Sequence, residues 1–118
     1  MSSRLFGLDR CALIGMVHLS PLPGSARWSG SFEDVLSRAM DDASALVDGG
    51  CDAILVENMG DVPYLKSHDL SETVAAMTVA TSRICQFDIP VGVQILAGAN
   101  QAALGVAVAA GASFIRVE

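Results

Sequence analysis

"DGGCDAILVE", Asp48–Glu57, and "AAGASFIRVE", Ala109–Glu118, are two versions of one passage. In each, a glycine closes a helix-like stretch, two residues follow, and a short strand ends in Val-Glu. A strand that is apolar on both faces is the mark of a parallel sheet covered by helices. The two copies stand 61 residues apart, which is the length of two strand–helix units.

Outward from this echo, strand and helix patterns alternate. Residues 11–18 (CALIGMVH), 53–57, 91–96 (VGVQIL) and 113–118 (SFIRVE) read as strands. Ser31 reads as an N-cap with Asp34 as its capping-box partner, ahead of Val35, Leu36, Ala39, Met40, Ala43, Leu46 and Val47 at helical spacing. Gly49 and Gly50 close that helix. Asp69 and Glu72 open a second helix running to about Cys85, before Pro90. Asn100 is read as the cap of an alanine-rich third helix that ends at Gly111.

The order β-α-β-α-β-α-β, without a hairpin signal, predicts parallel strands with right-handed crossovers. Two doublings of such a pair of units make an eight-unit barrel, so the expected fold is α/β and TIM-barrel-like. About four βα units would form half of a (β/α)8 barrel, in one domain over residues 1–118. A flavodoxin-like open sheet is the rival architecture. A half barrel leaves edges open, so the chain is read as a truncated first half that self-associates or pairs with a missing C-terminal half.

Composition narrows the function. Of 118 residues, 52% are hydrophobic and 5% aromatic, and the net charge is −6 with no basic cluster. This excludes a nucleic-acid backbone binder and charge-driven docking on an anionic membrane. Cys11, Cys51 and Cys85 are widely spaced and read as reduced core thiols, not as a disulfide or zinc framework. No secretory signal is present, and the expected location is cytoplasmic. The uncharged run Ile89–Ile115 has the length of a membrane span, but it contains Pro90, Gln94, Asn100 and Gln101 and divides into strand, helix and strand.

Parallel β/α folds place ligands at the carboxyl ends of their strands. Those ends read His18, Glu57 with Asn58, Gln94, and Arg116 with Glu118. Polar groups are costly to bury without partners, so their placement at one end of apolar strands marks a candidate site. Glu57 and Glu118, equivalent in the echo, would share a layer and there share a proton, bind a divalent cation or hold substrate hydroxyls. A structural network pairing Glu118 with Arg116 or Lys66 is the alternative. Asp61, in the loop after the second strand, is a lid or substrate group. No metal-ligand spacing or phosphate loop occurs, and no cofactor is assigned.

"GMVHLSPLPGS" (15–25), "ENMGD" (57–61), "PVGVQILAGAN" (90–100) and "GASFIRVE" (111–118) resemble the BtpA family, with its SgcQ-type members. The resemblance implies a ribulose-phosphate-binding type of TIM barrel. It implies a role in biogenesis or stability of a membrane complex, photosystem I in phototrophs, with membrane-complex subunits as partners and a peripheral thylakoid or mitochondrial location open. The other function class is a barrel enzyme acting on a small sugar-phosphate-like or nucleoside-like ligand. On either reading His18, Glu57 and Glu118 are the catalytic candidates, and Asn58, Asp61, Gln94 and Arg116 the substrate-binding ones. A fragment without activity of its own is the third reading.

Overall fold

A computed structural model describes residues 4–64 and 71–118. Its four strands are β1 (Ile14–His18), β2 (Ala53–Glu57), β3 (Val91–Gln94) and β4 (Phe114–Ile115). They form one parallel sheet in the order β1-β2-β3-β4. Between them run α1 (Phe32–Asp48), α2 (Ser71–Ile84) and α3 (Asn100–Ala110), and a short 3₁₀ turn at Leu5–Gly7 precedes the sheet. The consecutive strand order is the one a partial barrel takes, and differs from the reversed order of a doubly wound sheet.

Local chemistry accounts for most of the boundaries. The Ser31 hydroxyl accepts the Asp34 amide at 3.3 Å, capping α1 as expected. Gly50 takes φ +92° just past that helix, and Gly111, at φ +84°, terminates α3. Such left-handed positions suit glycine, which has no Cβ to clash.

Successive residues in a strand face opposite sides of the sheet. Val17, Ile54, Val56, Val91 and Val93 turn towards the helices and join their apolar stripes in one core. From α1 come Val35, Leu36, Ala39 and Ala43, from α2 Ala76, Met77, Ala80 and Ile84, and from α3 Ala103, Val106 and Ala107. The run of alanines lets the helices lie close to the sheet. The other face carries Met16 and His18, Leu55 and Glu57, Gly92 and Gln94, and Phe114.

The structure corrects several sequence expectations. β1 begins at Ile14, not Cys11, because the Leu13 amide is taken by the Asp52 carboxylate at 2.8 Å. β3 stops at Gln94 and β4 spans two residues instead of six. Asn100 does not cap α3: Ala99 holds that position, and the Asn100 amide instead grips the Glu118 backbone through two 3.0 Å bonds. Cys11 is exposed, not a core thiol, while Cys51 and Cys85 are half-buried. Asp69 lies outside the described residues. Among the described residues no helix is long and apolar enough to cross a membrane, and the Ile89–Ile115 run divides into β3, α3 and β4.

Candidate functional site

The parallel ladders set His18 beside Glu57 and Glu57 beside Gln94. Val93 pairs with Ile115, so the next position along the ladder puts Arg116 beside Gln94. Four polar side chains thus stand in one row at the carboxyl ends of the strands, beyond Met16, Leu55, Gly92 and Phe114.

Glu57 is the centre of the row and only 1% exposed. The Arg116 guanidinium reaches its carboxylate from Nη2 at 3.3 and 3.4 Å. His18 Nε2 lies 3.5 Å away on the other side. Arg116 Nε donates to the buried Gln94 Oε1 at 2.5 Å, so Gln94 orients the guanidinium that contacts Glu57. His18 and Arg116 remain half exposed. The row is therefore a buried carboxylate flanked by two solvent-reachable nitrogen groups, a composition suited to holding and moving a proton next to an anion.

Glu118 is turned elsewhere. Its carboxylate accepts the Gly98 amide at 2.6 Å, closing the loop after β3 over the end of β4. Lys66, the other sequence candidate for a partner, lies outside the described residues.

Asn58 and Asp61 form a second group. Asn58 is 2% exposed, and its Oδ1 accepts the Leu96 amide at 2.7 Å. Its Nδ2 donates to the Leu96 carbonyl at 3.4 Å and to Asp61 Oδ2 at 3.2 Å. Asp61 Oδ1 accepts the Leu22 amide at 2.8 Å. This chain of bonds ties together the loops after β1, β2 and β3. Burial pushes the Asp61 carboxyl above its usual range, against the Leu22 and Asn58 bonds that pull it down.

Above this tie lies a cleft of ≈ 240 Å³. Gly24, Ser25 and Ala26 wall one side, Pro63 and Tyr64 another, and Glu72 and Thr73 of α2 a third, with Asn58, Asp61 and Leu96 completing it. Sequence reading named Asn58 and Asp61 here but not Ser25, Tyr64 or Glu72. Glu72 reads as an ordinary first-turn acid, and only the fold brings it against Gly24, 48 residues earlier.

The model of the BtpA family matches residues 9–118. The photosystem I biogenesis protein BtpA of Synechocystis is 44% identical over 106 residues, covering 89% of this chain and 37% of that protein. An uncharacterised protein of Thermococcus kodakarensis is 43% identical over 109 residues, 92% of this chain and 42% of its own length. An uncharacterised mitochondrial protein of Caenorhabditis elegans is 34% identical over 122 positions, 98% of this chain and 44% of its own. The chain therefore spans about two-fifths of the length of these relatives. With a match over nearly all of its residues, the chain belongs to the BtpA family.

Proposed function

We propose that this chain carries the amino-terminal half of a (β/α)8-barrel site that performs acid–base chemistry on a small phosphorylated sugar- or nucleoside-like compound. The burial of Glu57 between Arg116 and His18 carries this reading. A carboxylate is expensive to bury, and it is kept at the strand ends of an otherwise apolar sheet face. Glu57 is the proton acceptor, His18 exchanges that proton with solvent or ligand, and the open side of Arg116 takes the phosphate. Gln94 holds Arg116 in place.

The barrel is supported by the stagger of the strands. The echo matches Glu57 to Glu118, whereas the ladder row leads from Glu57 to Arg116, two residues short over two strands. One residue of stagger per strand is the shear of an eight-stranded barrel. Glu118 then comes level with Glu57 around the barrel axis, but its carboxylate is held by the Gly98 amide and takes no part in the row.

A second reading, a part in the biogenesis of a membrane complex, is favoured by the name of the Synechocystis relative. It suits a phototroph, where the protein would act peripherally at the membrane on complex subunits. The nematode relative speaks against this as a role common to the family, since an animal has no photosystem.

Titration with ribose 5-phosphate, followed by the Arg116 Nε–H and His18 ring signals in NMR spectra, tests the proposal. Saturable shifts of both signals in the parent, with the His18 shift lost in Arg116→Met, support it. Absence of any shift at millimolar ligand sinks it.

A further inference from the structure

We propose that the cleft above the Asn58–Asp61 tie is a subsite for a hydroxyl-rich ring, the pentose portion of a ligand, and that it excludes phosphate. The inference deepens the proposed function, resting on its ligand class but not on Glu57.

Among the described side chains facing the cleft, acceptor capacity outweighs the donors, which are the Ser25 and Thr73 hydroxyls. Both Nδ2 hydrogens of Asn58 are engaged, by Asp61 and by Leu96. Its Oδ1 accepts one bond, from the Leu96 amide, and an amide oxygen can take two. Each Asp61 oxygen accepts one bond and has room for another. The Tyr64 hydroxyl donates to the Met59 carbonyl at 2.7 Å. Glu72 adds a second carboxylate, set against Gly24, where an added Cβ would meet its Oε2 at 3.1 Å. A ligand that satisfies these groups has to bring donors.

Two further features select a sugar ring. Pro63, Leu96 and the body of Tyr64 give the cleft apolar walls, matching a pentose with hydroxyls at its rim and C–H groups on its faces. Asp61 is also short of solvation, as the upward push on its carboxyl shows, and a hydroxyl donor relieves that deficit. Phosphate, in contrast, would face two carboxylates. The Asn58 tie fixes all three loops in advance, so little ordering accompanies binding.

The test is titration of the whole chain with D-ribose, followed by the amide signals of Ser25, Asn58, Thr73 and Leu96. Saturable shifts at these four are expected, weakened about tenfold in Glu72→Gln, in line with loss of a hydrogen bond to a charged acceptor. Inorganic phosphate should leave the four signals in place. The proposal is overturned if ribose moves none of them, if phosphate moves them, or if ethylammonium displaces ribose, which would make the site an amine site. Failure of the acid–base reading looks different: the four amides respond to ribose while the Arg116 Nε–H ignores phosphate.

Discussion

Arg116 closes over Glu57 from two strands away, 59 residues along the chain, with Nη2 3.3 Å from the carboxylate. The two partners are unequal, for Glu57 is buried while Arg116 is half exposed. Removing either one therefore has a different effect. Arg116→Met leaves a buried carboxylate with His18 as its remaining ion-pair partner among the described residues and should cost about 1–2 kcal/mol, less than a fully buried pair because water still reaches the guanidinium position. Glu57→Gln keeps an acceptor for Arg116 and removes the buried charge, so its stability should stay within about 1 kcal/mol of the parent. Urea unfolding of both variants checks the asymmetry, and equal losses would make the pair an ordinary structural bridge.

Gly92 faces Phe114 across the β3–β4 ladder, and a Cβ at Gly92 would run into the Phe114 ring. That ring also packs on Phe6, with centroids 5.3 Å apart and planes tilted by 51°. Gly92→Ala should destabilise by about 1–3 kcal/mol through overpacking. Phe114→Leu on the same background should recover part of the loss, which a double-mutant cycle by thermal melting would read as favourable coupling.

These relationships mark where sequence reading worked and where it stopped. The β2 boundaries followed from an uninterrupted apolar run, and the parallel order followed from strand–helix alternation. The ends of β1 and β4 were not legible. A side chain far away in sequence, Asp52 or Asn100, takes backbone groups that the apolar pattern assigned to the ladder. The row His18–Glu57–Gln94 was readable as strand ends. The pairing of Glu57 with Arg116 was not, because register across strands leaves no trace in a single strand's composition. Asn58 was legible as a polar residue at a strand end and Asp61 as one in a loop, but the backbone amides they hold belong to other loops.

The Asn58 tie can be tested by its reach. Asn58→Ala strands the Leu96 amide and frees Asp61, and should cost about 2–3 kcal/mol. Asp61→Asn keeps an oxygen for the Leu22 amide but turns a donor towards Asn58, offset by loss of a buried charge, so it should cost about 1 kcal/mol or less. Hydrogen exchange separates a shared tie from two local bonds. In Asp61→Ala the Leu96 amide should exchange faster along with that of Leu22, although its own bond is to Asn58 and not to Asp61. Protection of Leu96 unchanged from the parent would show that the loops open independently.

Asp52 supplies the pH dependence. Its carboxylate takes two bonds from Arg10, at 2.6 and 2.8 Å, and one from the Leu13 amide, and these hold its pKa at about 2 against an ordinary 3.8. The folded-state value is the lower one, so the folded chain prefers the ionised form. The stabilisation is complete above about pH 4 and is lost as the pH falls through about 2, where Asp52 takes up a proton in both states. Because the Leu13 bond fixes where β1 starts, that loss should appear at the amino-terminal edge of the sheet. Between pH 4 and 2 the parent should lose stability more steeply than Asp52→Asn, which has no carboxyl to titrate there. Denaturant midpoints measured across that window decide the matter: parallel pH profiles for the two proteins would remove Asp52 and Arg10 from the account of acid stability.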